Sequence, residues 1–138
     1  MKALGIDFGE RRIGLAISDP EGRTAVPLTT LNRRDDRHAA RDIAAIAESE
    51  EVELLVLGEP RRLDGSRGEA AERAARFGRK LVEATGLPLE LVEETLTSVE
   101  ASRRLEAAGV PARRRAERLD QVAAQILLEE ALERRRKA

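Results

Sequence analysis

The sequence predicts an α/β fold, a mixed five-stranded sheet with helices on both faces. Three observations carry that expectation. Two short apolar runs near the N-terminus are split by a polar turn, residues 52–57 are almost continuously apolar, and the later segments alternate strand-like runs with helical periodicity.

Ala3 to Asp7 and Ile13 to Ser18 flank Phe8-Gly9-Glu10-Arg11-Arg12, the pattern of a hairpin, and a third strand near Thr24 to Leu31 completes a meander. From Asp36 to Ser49, apolar Ala39, Ala40, Ile43, Ala44, Ile46 and Ala47 fall at helical spacing, with Asp35 or Asp36 as the N-cap. Val52 to Leu57 reads as a strand covered on both faces, ended by Gly58. Ser66 with Glu69 has the spacing of a capping box and opens a helix that reaches Thr85, where Gly86 and Pro88 stop it. Leu87 to Val92 is the next strand. Thr97 with Glu100 makes a second capping box for a helix over Ser98 to Ala108, broken by Gly109 and Pro111, and a long helix follows from Ala116 to Arg135. In such sheets ligands gather beyond the carboxyl ends of the parallel strands.

Composition removes whole classes of chemistry. With 138 residues the chain is expected to form one domain over residues 1–138. It has no cysteine and a single histidine, His38, which excludes disulfides, thiolate metal sites, cysteine nucleophiles and a multi-histidine zinc site. His38 falls among polar residues at a helix start and is read as a surface residue. No run approaches the roughly 18 apolar residues of a membrane span, and no secretory pattern opens the chain, so a cytoplasmic protein is expected, with no membrane partner.

Three acids stand out by placement. Asp7 is the only charge in the first strand and lies at its carboxyl end, where an unpaired buried carboxylate is costly. Glu93 and Glu94 follow the last predicted strand, within a run from residue 83 to 100 that holds five glutamates and no cation. Asp120 shares a helical stripe with Ala124, Leu127 and Ala131, opposite Arg118, Gln121, Gln125, Glu129 and Glu133, and so points inward. Three carboxylates in one cleft suit Mg²⁺ or Mn²⁺, and such ions activate water against a phosphodiester.

The net charge is only −1, so any polyanion-binding surface must be local. Candidates are Arg11 and Arg12 in the first turn, Arg61, Arg62 and Arg67 after the fourth strand, and Arg113, Arg114 and Arg115 ahead of the last helix. Phe8 and Phe77 are the only aromatic residues, so base stacking is not the main binding mode.

The run Gly5-Ile6-Asp7-Phe8-Gly9-Glu10-Arg11-Arg12-Ile13-Gly14 through Asp19 resembles the opening signature of the YqgF/RuvX family. Three further motifs are similar in the same order: Val56 to Pro60 with Asp64-Gly65-Ser66, Glu93 to Ser98 with Glu100-Ala101, and Asp120 to Leu127. The resemblance implies an RNase H-like three-layer fold and a metal-dependent nuclease centred on Asp7, Glu94 and Asp120. It implies either processing of the 5′ end of pre-16S rRNA, with ribosomal precursor particles as partners, or cutting of Holliday junctions. Two positions depart from the family pattern. Glu93-Glu94-Thr95 replaces Asp-Glu-Arg, which leaves Glu93 open as a substitute ligand for Glu94, and Glu59 replaces a leucine.

A junction resolvase would require a homodimer, whereas an RNA nuclease could act as a monomer. The first hairpin is also similar to the phosphate hairpin of actin-like ATPases, but those close two domains around a nucleotide. A non-catalytic RNA-binding assembly factor is the remaining reading, distinguished by binding that survives loss of the three acids.

Overall fold

The N-terminal hairpin forms from β1 (Ala3–Phe8) and β2 (Arg12–Ser18), and β3 (Ala25–Asn32) extends it into the expected meander. The structure is a computed structural model. It describes every residue except Thr95 and Leu96, and leaves the side chains of Thr97, Ser98 and Glu117 undescribed, so the second capping box lies outside the described residues. The remaining elements are α1 (Asp36–Ser49), β4 (Leu54–Pro60), α2 (Glu69–Thr85), β5 (Leu89–Glu94), α3 (Thr97–Ala107) and α4 (Ala112–Lys137).

The sheet order is β3-β2-β1-β4-β5, with β1 antiparallel to β2 and parallel to β4, and β4 parallel to β5. This is the mixed five-stranded sheet that the pattern predicts. Alternation sorts the side chains between two cores. Leu4, Ile6, Ile13, Leu15, Leu55 and Leu57 pack with Ile43 of α1 and with Phe77 and Leu81 of α2. Ala3, Ala16, Leu54, Val56 and Val92 meet Ala124, Leu127, Leu128 and Ala131 of α4 on the other face. Helix α3 packs outside α4 through Ala101 and Leu105 against Val122 and Ala123.

Local chemistry sets most boundaries as expected. Asp35 caps α1 by accepting the His38 amide, and Gly86 closes α2 in the left-handed region at φ 70°. His38 is exposed, its ring 2.7 Å from Asp35 Oδ2.

Four expectations need correction. Gly58 does not end its strand: it pairs with Val92 inside the parallel ladder, and β4 runs on to Pro60. Ser66 does not cap α2, because its hydroxyl and amide both engage Asp64 Oδ1, at 2.6 and 2.9 Å, and Gly68 takes the cap position with no side-chain bond. Glu93 and Glu94 do not follow the last strand, expected over Leu87 to Val92, but are the last two positions of β5. Helix α4 begins at Ala112, so Arg113 to Arg115 form its first turn, and Gln121 and Gln125 face β3 rather than solvent, donating to Thr30 Oγ1 and the Ala25 carbonyl.

Candidate active site

Asp7 is the penultimate residue of β1 and Glu94 the last of β5, two strands that run in the same direction with β4 between them. Two strand spacings, about 9.6 Å across the sheet, separate the two strands. Glu94 lies two residues further along than the row of Asp7, Gly58 and Val92, so its long side chain must lie back across β4 to reach Asp7. Gly58 makes the crossing possible: a Cβ there would stand 2.8 Å from Glu94 Oε2 and 2.6 Å from Leu127 Cδ1. Glycine inside a strand thus serves close approach rather than chain reversal.

A second glycine brings in Asp120. Gly14 is the cross-strand partner of Asp7, and a Cβ on it would collide with the Asp120 carbonyl. Helix α4 therefore rests directly on β2 at this point, which sets Asp120 beside Asp7. The stripe of Ala124, Leu127 and Ala131 is fully buried beneath, as its spacing predicts.

The three acids line one pocket of about 390 Å³ with Phe8, Gly9, Glu10, Arg33, Pro60, Arg61, Ala70 and Arg73. Burial pushes the Asp7 carboxyl up to about 9, reinforced by the Glu94 charge, a hydrogen bond shared with Glu94, and the Asp120 charge. Burial also raises Glu94, with the Asp120 charge adding to it and the Asp7 hydrogen bond opposing it. Asp120 is held at the rim by Arg12, whose Nε lies 2.9 Å from Oδ2. As the side chains stand, no group of three acids or histidines among the described residues is gathered to hold a metal ion.

The geometry separates the two glutamates. Glu94 shares the Asp7 hydrogen bond, whereas Glu93 points away with its side chain 62% exposed, 3.5 Å from Arg61. The acidic run from residue 83 to 100 is also less bare than its sequence suggests, because Arg135 of α4 meets Glu90 at 3.1 Å.

The cations divide similarly. Arg61 lines the pocket, and Arg62 and Arg67 line an adjoining one. Arg12 reaches the acids directly, and Arg11 is exposed in the first turn. Arg113, Arg114 and Arg115 are not among the described residues that line the acidic pocket; they lie on the first turn of α4, and Arg115 donates to the Val110 carbonyl at 2.9 Å. Sequence reasoning missed Arg33 and Arg73. Arg33 stacks 4.4 Å over the Phe8 ring, which itself stacks on Phe77 at 4.2 Å, so both aromatic residues are engaged internally. Glu59 was also missed as a buried charge: Arg61 at 2.7 Å and Arg67 at 3.2 Å share its Oε1.

A mixed sheet between helical layers, with acids converging at the carboxyl ends of parallel strands, defines an RNase H-like nuclease class. The fold agrees with that of Thermus thermophilus RuvC bound to a Holliday junction substrate, at TM-score 0.62 and 17% identity, covering 100% of this chain and 97% of that one. Fowlpox virus resolvase in complex with Holliday junction DNA also matches, at TM-score 0.55 and 10% identity over 97% and 98% of the two chains. A family profile described as "RuvX: Holliday junction resolvase" matches residues 1–134. A protein of Syntrophus aciditrophicus named "Putative pre-16S rRNA nuclease" is 42% identical over 96% of this chain and 89% of its own length. One of the same name from Picosynechococcus is 46% identical over 96% and 92%. The chain belongs to the RuvX family and is a hydrolase acting on phosphodiester bonds. No helix among the described residues is long and apolar enough to cross a membrane.

Proposed function

We propose that this chain is a divalent-metal-dependent endonuclease that processes the 5′ end of pre-16S rRNA in the cytoplasm, working as a single domain. The observation that carries the reading is the meeting of Asp7, Glu94 and Asp120, from β1, β5 and α4, in one pocket that also holds three arginines. The names of its curated relatives support the RNA substrate.

The donor set fits a hard cation. It consists of carboxylate oxygens alone, and burial makes full ionisation of the Asp7–Glu94 pair unfavourable until a positive charge joins it. Asp7 and Glu94 would hold Mg²⁺ or Mn²⁺, with Asp120 joining on release from Arg12. Such an ion supplies Lewis-acid activation of water and neutralises charge at the scissile phosphate. Arg33, Arg61 and Arg73, which line the same pocket, would orient the phosphate, and Arg33 is kept in place by the stacked Phe8 and by Asp36 at 3.0 Å.

Purified protein incubated with pre-16S RNA fragments should cut only when Mg²⁺ or Mn²⁺ is present, and Asp7→Asn should reduce the rate at least 100-fold, roughly the loss of one indispensable group. Equal cleavage by parent and Asp7→Asn would remove this reading. A second reading, resolution of Holliday junctions, is favoured by the family description. It requires a homodimer and symmetric cuts in a four-way DNA junction, and a monomer that cuts only RNA excludes it.

A further inference from the structure

Beside the acidic pocket lies a second cavity of about 500 Å³, lined by Arg62, Arg67, Arg73 and Arg76 together with Gly68, Glu69 and Glu72. Arg73 lines both cavities, so the two adjoin at this residue of α2. Four guanidinium groups face two carboxylates here, in a protein whose overall charge is −1.

The engagement of these arginines is uneven. Arg67 is occupied by Glu59 and Glu72, at 3.2 and 3.3 Å, and Arg73 only approaches Glu10 at 4.0 Å. Among the described residues, no ion pair or side-chain hydrogen bond engages Arg62 or Arg76. The Arg62 guanidinium lies against Gly68, where a Cβ would stand 2.7 Å from its Nε, so the glycine leaves it room beside the start of α2. Arg73 and Arg76 stand three residues apart on one helical face, a like-charge spacing that costs a few tenths of a kcal/mol in an isolated helix. Two arginines without an ion pair among the described residues, Arg62 and Arg76, and a third held only by a distant one, Arg73, stand together beside the acidic cleft and point to an anionic ligand that completes them.

We propose that Arg62, Arg73 and Arg76 form a phosphate subsite for the nucleic-acid strand on one side of the scissile bond, directing that strand from the acidic pocket over the N-terminal half of α2. The subsite reads the sugar-phosphate backbone and not the bases, since its lining offers no aromatic face. It rests on the nuclease reading for the position of the scissile bond and assigns the direction of the strand beyond it. Guanidinium forks suit this contact because they meet phosphate oxygens in pairs.

The test is the salt dependence of binding to a fluorescein-labelled RNA hairpin with single-stranded flanks, and to the DNA hairpin of the same sequence, both with EDTA so that no cleavage occurs. Arg62→Gln/Arg76→Gln should lower the slope of log K against log salt by about 1.4 to 1.8 and weaken binding roughly tenfold at moderate salt. The control Arg134→Gln/Arg136→Gln removes the same charge about 20 Å along α4 from Asp120 and should leave the slope near the parental value. An unchanged slope in the first variant, or an equal fall in the control, overturns the subsite even if the parent cuts RNA. A selective fall together with no cleavage by the parent in Mg²⁺ keeps the phosphate-binding surface and removes the metal-dependent RNA-processing reading.

Discussion

Arg12 of β2 holds Asp120 of α4 at 2.9 Å, which ties the rim of the acidic pocket to the turn of the first hairpin. The Arg12 side chain is 47% exposed, so the pair contributes at most about 1 kcal/mol to stability. Its larger consequence is competition, because a guanidinium on Oδ2 offsets part of the negative charge that Asp120 would offer a metal ion. Arg12→Gln is therefore expected to leave the urea midpoint nearly unchanged, tighten Mn²⁺ binding severalfold by calorimetry, and weaken nucleic-acid binding. Weaker Mn²⁺ binding in the variant would show that Arg12 assists the acids rather than competing with a cation.

Asp7 carries a pH signature. Its carboxyl, ordinarily near 3.8, is pushed up to about 9 in the folded chain, chiefly by burial. Between those values the folded state keeps a proton that the unfolded chain releases, so this contribution to stability is complete below the lower value and is lost as pH climbs through the upper one. Asp7→Asn stays neutral throughout. In EDTA the variant should exceed the parent in unfolding free energy by roughly 1 to 3 kcal/mol at pH 8.5, with the difference shrinking at pH 5. Equal differences at both pH values would mean that the Asp7 carboxyl ionises normally.

Much of this arrangement was legible because it rests on local chemistry. Apolar alternation marks the hairpin, Asp35 marks the start of α1, and the stripe of Ala124, Leu127 and Ala131 orients Asp120 before any fold is known. What escaped depends on residues distant in the chain. Gly58 resembles a strand terminator until Leu127 and Glu94 are seen above it. The acid-rich run appears cation-free until Arg61 and Arg135 arrive from β4's end and α4. Arg33 and Arg73 enter the pocket only because the end of the meander and the start of α2 meet at the same end of the sheet, and no spacing in the sequence encodes that convergence.

Gly14→Ala tests whether α4 is seated by the missing side chain. A methyl group there meets the backbone of Asp120, which cannot rotate away as a side chain could. The expected cost is about 1 to 3 kcal/mol from overpacking, measured by urea unfolding, together with a steep loss of cleavage as Asp120 moves from Asp7. Retained activity at parental stability would show that α4 shifts freely over β2 and that its seating does not set the geometry of the acids.

Glu59 provides the last test, because it is a buried charge outside the acidic trio. Its side chain is 6% exposed, and a single oxygen takes contacts from Arg61 and Arg67 while the Arg61 Nε stays buried without a partner. Removing one member of such a group leaves the others desolvated and uncompensated, whereas removing both sides releases the penalty. Glu59→Leu should therefore lose about 1 to 3 kcal/mol in urea unfolding, less than a fully buried pair would lose because both arginines are partly exposed. Glu59→Leu/Arg61→Leu should recover part of that loss while substrate affinity falls further, since Arg61 faces the pocket. If the double variant is instead less stable than the sum of the single changes, Arg61 supports β4 through packing of its own, and Glu59 is not the group that holds it.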